Sequence, residues 1–215
     1  MNERLDAREN KQMMELTKEM REELRSFSTP ELCDGAGDYK TMDYQIKEMV
    51  TQDRIVGTAF TVDAPLGVSG IVPDALELLK PGQVLVVDGK GGCNRSYWGD
   101  HRSLCAKMQG AEGVIIDGAM RDIEGCEEVG FPVFARALTP GSAAKESKGR
   151  MNVPIVCGDI VVNPGDVVVG DRNGVIVFPI EKAQEIMEKA REKIEKQNRV
   201  IDEMKRTGKI IPRVK

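Results

Sequence analysis

The stretch richest in chemistry is Asp117-Gly118-Ala119-Met120-Arg121-Asp122. The apolar run Gly113-Val114-Ile115-Ile116 leads into it and reads as a buried strand, after which the chain turns through Gly118 and Ala119 into an adjacent arginine and aspartate. In α/β sheets the carboxyl ends of strands are where ligands gather. A guanidinium grips a carboxylate through two parallel hydrogen bonds, and a neighbouring aspartate ligates a hard divalent cation through oxygen. Arg121 and Asp122 therefore suit a 2-oxo acid bound to Mg²⁺; an isolated Arg-Asp pair is also, more commonly, an ordinary ion pair or a helix cap.

A second stretch, Lys90-Gly91-Gly92-Cys93-Asn94-Arg95-Ser96-Tyr97-Trp98-Gly99-Asp100-His101, reads as a loop from a strand end to a helix start. It holds the only tryptophan and the only histidine of the chain. Backbone N–H groups at such a helix start receive anionic oxygens, and glycines let a ligand approach the backbone. Asp100 fits either an N-cap or an acid/base at the same mouth. Trp98 reads as a packing residue and His101 as a surface or supporting residue.

Composition narrows the choice of chemistry. One histidine in 215 residues excludes a multi-histidine metal site within one chain and leaves any Ser-His-Asp or Cys-His mechanism dependent on His101. The five cysteines form no C-x-x-C pair, which argues against a zinc ribbon or a disulfide framework. A net charge of −4 argues against a nucleic-acid binder. No apolar run approaches membrane-spanning length and no secretory signal opens the chain, so a soluble, cytoplasmic protein with no membrane partner is expected. The charge is uneven: residues 26–180 hold 21 acidic against 14 basic side chains, which suits a divalent cation site, while residues 181–215 hold 7 against 11.

The elements that must position these residues follow from periodicity. Residues 1–27 and 181–215 read as charged helical arms around a Gly-rich α/β core at 28–180, one domain overall. Met13, Leu16, Met20, Leu24 and Phe27 form one apolar stripe, and Ala183, Ile186, Ala190, Ile194, Ile201 and Met204 another. A helix that long with a narrow stripe packs on another element, a second subunit being a candidate. Ser28-Thr29-Pro30-Glu31 reads as a cap opening a short helix that ends at Asp34-Gly35-Ala36-Gly37. Strands are predicted at 56–63, 83–88, 113–117 and 131–135, helices at 73–79, 100–109 and 123–129, and β structure throughout 153–179. The segments 81–91 and 164–174 share P-G-x-V-x-V-x-D-x-x-G, read as two similarly built turn–strand–turn units and not as a repeat.

From 29 to 180 the chain resembles the 4-hydroxy-4-methyl-2-oxoglutarate aldolase / regulator of ribonuclease activity A family. The matching stretches include Gly57-Thr58-Ala59-Phe60-Thr61-Val62, Pro81-Gly82-Gln83-Val84-Leu85-Val86-Val87-Asp88, Trp98-Gly99-Asp100, and 113–122 ending in Arg121-Asp122. They continue through Gly130-Phe131-Pro132-Val133-Phe134-Ala135-Arg136, Thr139-Pro140, Val162-Asn163-Pro164-Gly165-Asp166 and Asp171-Arg172-Asn173-Gly174-Val175. The resemblance implies a β/β/α swivelling-type core assembled as a homotrimer or homohexamer. It implies a class II pyruvate aldolase, often also decarboxylating oxaloacetate. Asp122 would ligate Mg²⁺ or Mn²⁺ with waters completing the shell, and Arg121 would bind the pyruvyl carboxylate. The backbone of Gly99, Asp100, His101, Arg102, Ser103 and Leu104 would help to position it, with Asp100 contacting metal-bound water. Glu192 or Glu195 of a neighbour's C-terminal helix would complete the site. The chemistry is coherent: breaking C3–C4 of a 2-oxo acid, or decarboxylating oxaloacetate, leaves the same pyruvate enolate, stabilised by a divalent metal and a guanidinium.

Three departures bear on substrate identity. Gly125 stands three positions after Asp122, where the aldolases commonly have an acid; Gly67-Val68-Ser69 replaces a Gly-Asp-Asn-like turn; and His101 stands where an aliphatic residue is usual. A Schiff-base route would need a desolvated lysine, and nothing around Lys90 or Lys107 favours one. The alternative reading is a non-catalytic regulator that binds an RNA-degrading enzyme, or an oligomer that binds small ligands without turning them over.

Overall fold

The computed structural model describes residues 15–37, 40–51 and 53–210. Met13, in the first predicted stripe, lies outside them, as does the outer end of each arm, 1–14 and 211–215.

A mixed sheet curls around an apolar interior. Its strands are β1 (Lys47–Val50), β2 (Ile55–Asp63), β3 (Gln83–Trp98), β4 (Gly113–Met120), β5 (Val133–Leu138), β6 (Arg150–Met151), β9 (Val167–Asp171) and β10 (Gly174–Phe178). They run in the order β1-β5-β4-β3-β2-β9-β10, with β6 also on β2. The β2–β3, β3–β4 and β4–β5 pairs are parallel; β9, β10 and β1 join antiparallel. A hairpin of β7 (Ile155–Cys157) and β8 (Ile160–Val162) closes the interior.

Alternation along the strands explains why the sheet is covered on both faces. Val84, Val86, Ile115 and Phe134 point into the interior with Ile155, Cys157 and Val162 of the hairpin. Their neighbours Leu85, Val87, Val114, Ile116, Val133 and Ala135 point out, under α3 (Ile71–Leu78), α4 (Asp100–Met108) and α5 (Ile123–Val129). At the other end Val167, Val169, Ile176 and Phe178 face α1 (Lys18–Ser26), α2 (Thr29–Ala36) and α6 (Ala183–Thr207).

The two arms therefore meet on one side of the core. Ser28 and Glu31 close a capping box at the start of α2. Glu23 of α1 pairs with Arg191, and Asp34 of α2 with Lys193 at 2.6 Å. In α6 the residues buried are Ala183, Ile186, Met187 and Ala190, all in its first third, and Ile201 is 44% exposed.

The twin segments behave alike. Gly82 and Gly165 take left-handed conformations at φ 82° and 85° ahead of β3 and β9, which flank β2 on its two sides. Each strand segment then reaches an aspartate that accepts the N–H two residues on, Asp88 from Lys90 at 2.9 Å and Asp171 from Asn173 at 2.8 Å. They are two copies of one local solution, as expected from turn chemistry.

One expectation is corrected. The Gly-rich stretch after Asp88 is not a loop: β3 continues to Trp98, with its ladder to β4 interrupted between Asp88 and Gly92, Gly92 and Ser96, and Ser96 and Trp98. Ten residues of β3 beyond Asp88 are thus set against three of β4, an extreme form of β-bulge. Tyr97 holds the bulge by donating to Gly89 O at 3.0 Å and accepting from Gly67 N at 2.6 Å.

Candidate functional site

Beyond the bulge, β3 and β4 end side by side at Trp98 and Met120, and both chains leave at the same edge. Arg121 N donates to Trp98 O at 3.0 Å, which ties the Arg-Asp pair to the start of α4. The result is a cavity of about 140 Å³ lined by Ser69, Ser96, Trp98, Gly99, Asp100, His101, Arg102, Arg121, Asp122, Ser142, Ala143 and Lys145. The two stretches that carry chemistry in the sequence meet here.

Asp122 begins α5 in a left-handed conformation, φ 56° and ψ 46°, and its side chain makes no capping hydrogen bond. A non-glycine residue in that region costs on the order of 1 kcal/mol and marks sites where side-chain direction matters. Its Oδ2 sits 3.0 Å from Arg121 Nε. Arg121 Nη1 also donates to Ser142 Oγ at 2.6 Å. A guanidinium has five N–H donors, so Arg121 retains enough of them for a ligand carboxylate. Gly99 is what lets the aspartate come in: a Cβ there would stand 2.8 Å from Asp122 Oδ2.

Asp100 is the first residue of α4, with Gly99 in the capping position; the N-cap reading is replaced by a carboxylate that accepts the next N–H, His101 N, at 2.7 Å. Across from it lies Gly125, where a Cβ would meet Asp100 Cβ at 2.9 Å and Oδ2 at 3.0 Å. The position that departs from the aldolase pattern is thus packed against the other acid of the site.

Arg102 turns back beneath the cavity and donates to Tyr97 O, to Ser69 O at 3.1 Å and to Ser69 Oγ at 3.3 Å. Burial, then the charge of Arg121, push its pKa down to about 10. His101 is exposed and lines the cavity. Ser103 and Leu104 stand away from the lining. Ser103 is fully buried, accepting from Trp98 Nε1 at 2.8 Å, and Leu104 is 47% exposed. Trp98 packs as expected, stacked on Phe131 at 6.3 Å between centroids.

Sequence reasoning missed Ser96, Ser142 and Lys145 as lining residues, and weighed Ser69 only as a departure. No periodicity flags them. They arrive through the isolated parallel bridges Ser96–Ser142 and Val68–Ala144, which lay 141–145 and 67–70 along the edge of the bulge.

The charge expected of the site is not the charge found. The acidic core does not make an acidic cavity: Arg102, Arg121 and Lys145 face only Asp100 and Asp122. Much of the negative charge lies elsewhere, in Asp63 and Asp88 around Lys90 and in Asp43 and Asp117 around Arg136. Asp63 and Asp88 outweigh the effect of burial and hold the Lys90 ammonium above its usual pKa, the opposite of what a Schiff-base lysine requires. Lys107 is engaged with Val129 O at 2.6 Å.

As to a metal, no cluster of three or more His, Cys, Asp or Glu side chains capable of holding one occurs among the described residues. The donors in the cavity are hard carboxylate oxygens, few in number. That set fits Mg²⁺ or Mn²⁺, which keep several waters, and does not fit zinc.

A curled mixed α/β sheet with an Arg-Asp pair and a glycine-rich helix start at the ends of adjacent parallel strands defines a class of fold and site. The chain belongs to the RraA-like (Aldolase/RraA) family, whose model matches residues 29–177. It is 36% identical over 166 residues to a protein of Halalkalibacterium halodurans named "Putative 4-hydroxy-4-methyl-2-oxoglutarate aldolase", covering 77% of this chain and 79% of the relative. Among solved structures it is similar to an uncharacterized protein of Pseudomonas syringae, with TM-score 0.77, 28% identity, and 91% and 96% of the two chains covered. It is also similar to the RNA-processing inhibitor RraA of Thermus thermophilis, with TM-score 0.67, 31% identity, and 71% and 93% covered.

Proposed function

We propose that the protein is a divalent-metal-dependent lyase that cleaves 4-hydroxy-2-oxo acids such as 4-hydroxy-4-methyl-2-oxoglutarate, or decarboxylates oxaloacetate, releasing pyruvate. The observation that carries this reading is the left-handed Asp122 beside Arg121, opposed across one cavity by Asp100. Asp122 would hold Mg²⁺ or Mn²⁺, which supplies Lewis-acid polarisation of the 2-oxo oxygen.

The remaining chemistry belongs to the chain. Arg121, braced by Ser142, binds the 1-carboxylate through its uncommitted N–H groups and places positive charge beside the oxygen on which negative charge grows. Asp100, oriented by the His101 N–H, takes the proton of the 4-hydroxyl, directly or through water. The electrons of the O–H bond form the new carbonyl, those of C3–C4 pass into the pyruvate enolate, and the proton returns to C3. With oxaloacetate, carbon dioxide departs instead and the same enolate is protonated. Trp98, Gly99 and the seat of α4 wall one side of the cavity. A homotrimer or homohexamer, with a neighbour's Glu192 or Glu195 near the site, is part of this proposal.

The test is pyruvate release from a panel of 4-hydroxy-2-oxo acids and oxaloacetate, with Mg²⁺, with EDTA, and with Asp122→Ala. Turnover that survives EDTA, or full activity in the variant, rules the mechanism out. The likeness to an RNA-processing inhibitor supports the second reading, a protein-binding regulator. That reading requires no turnover of any oxo acid together with a stable complex with an RNA-degrading enzyme.

A further inference from the structure

Arg102 is a half-buried cation without a counter-ion. Its three hydrogen bonds go to Tyr97 O, Ser69 O and Ser69 Oγ, all neutral, and no carboxylate among the described residues lies within ion-pair distance of it. A desolvated charge is expensive to keep unless something of opposite sign pairs with it. The neighbouring charge makes matters worse: Arg121 opens on the same cavity and repels it, so burial first and Arg121 second depress the pKa of Arg102. The acids nearby are otherwise engaged, Asp122 with Arg121 and Asp100 with the His101 N–H. Two guanidinia, each braced by a serine, face one cavity in which cations outnumber carboxylates. One carboxylate of a ligand satisfies Arg121; the other cation still needs a partner.

We propose that Arg102 is a specificity-determining residue that receives the second carboxylate of the substrate, at the end remote from the 2-oxo acid held by Arg121, so that the site selects 2-oxo dicarboxylic acids over monocarboxylic ones. The proposal rests on the reading of Arg121 as the 2-oxo acid anchor. It gives the buried charge a function: an unpaired guanidinium gains a counter-ion from a dicarboxylic ligand and nothing from a monocarboxylic one.

The test is equilibrium binding to the full chain in the presence of Mg²⁺, comparing 2-oxoglutarate with 2-oxopentanoate. The two have equal carbon number, and neither carries a 4-hydroxyl to be cleaved. The wild type is expected to prefer the dicarboxylate by on the order of tenfold to a hundredfold, the range for a hydrogen-bonded charged group. In Arg102→Gln the preference falls to near unity, chiefly through weaker binding of 2-oxoglutarate. Arg102→Lys, which keeps the charge and loses the planar fork, retains a reduced preference and decides the matter if the glutamine variant does not fold. Absence of preference in the wild type, a preference that survives Arg102→Gln, or equal loss of both ligands (the mark of a merely structural tie to Ser69 and Tyr97) overturns the assignment. Pyruvate release measured alongside separates the two claims. An Arg102-dependent preference without turnover of any 2-oxo acid removes the lyase and leaves the diacid site; turnover of diacids indifferent to Arg102 does the reverse.

Discussion

Substituting Gly99 by alanine isolates positioning from stability at the candidate site. The backbone there is extended, φ −167° and ψ −171°, a conformation open to any residue, so the change adds no backbone strain. The added Cβ would lie 2.8 Å from Asp122 Oδ2, against at least 3.4 Å in an ordinary contact, so the carboxylate must retreat by about 0.6 Å. It can do so, because the Asp122 side chain is 41% exposed. The ion pair with Arg121, similarly exposed, is worth only ~0–1 kcal/mol, and loss of chain entropy in the unfolded state returns about 0.4–1 kcal/mol. Folding stability should therefore stay within about 1 kcal/mol of the wild type. Catalysis is less forgiving: a misplacement of about 1 Å costs roughly a hundredfold, so a shift of this size should lower kcat/KM on the order of tenfold. Coupled pyruvate release with a Mg²⁺ titration, set beside thermal melting, reads both quantities. Unchanged kcat/KM would refute the placement of Asp122 in the chemistry, and so would an activity loss matched by loss of folded protein.

Gly125→Ala acts on the other acid: Cβ contacts of 2.9 Å to Asp100 Cβ and 3.0 Å to Oδ2 force α4 and α5 apart at their starts. It should reduce turnover on the order of tenfold or more, although alanine is about 1 kcal/mol better in a helix; a fully active variant would show that Asp100 is not needed where it stands. Arg136→Met strips the counter-ion from Asp117, whose side chain is 8% exposed, and from Asp43, and should cost about 3–5 kcal/mol in urea unfolding, with part recovered in the double variant with Asp117→Asn. Acid sensitivity should trace in part to Asp171. Burial works against its charged form, yet hydrogen bonds from Thr29 and Asn173 prevail and hold its pKa below the usual 3.8. A depressed carboxylate pKa contributes stability above the unfolded value and loses it as pH falls through the folded one, so the wild type should weaken below about pH 4 and Asp171→Asn should show a shallower acid slope in that window.

Much of this molecule could be read from residue order because its central strands are short continuous apolar runs, the mark of a sheet buried on both faces. Leu85 and Val87 against Val84 and Val86 predict a strand covered on both faces, and the structure sends the two pairs into different apolar clusters. The helix stops at Gly37, Gly110 and Gly130 could be read for a related reason: each glycine takes a left-handed conformation that ends or follows a helix. The Arg121-Asp122 pair and the Gly99-Asp100 helix start were legible as separate motifs. Their meeting was not, because it depends on the β3–β4 register beyond Asp88, where glycines give no alternation to count and strand and loop look alike. Ser96 and Ser142 were invisible for the same reason, being joined by a single bridge between segments with no pattern of their own.

The charge that lines the cavity decides what kind of site this is. An acidic core suggested a place prepared for a cation, whereas four of its carboxylates are held by internal cations: Asp117 and Asp43 by Arg136, Asp63 and Asp88 by Lys90. Asp63, Asp88 and Asp117 of these networks lie in register across β2, β3 and β4. What opens on the cavity is different in sign, three cationic side chains against two carboxylates, with one of those carboxylates already paired to Arg121. Such a cavity attracts anions first. Under the proposed function, a divalent cation would gain most there when a bound anion adds oxygen ligands and negative charge to those of Asp122, so metal and acid should bind as partners and not in succession to independent sites. This is the behaviour the proposed chemistry needs, since the positive charge has to be present at the 2-oxo oxygen only when a 2-oxo acid is there to use it.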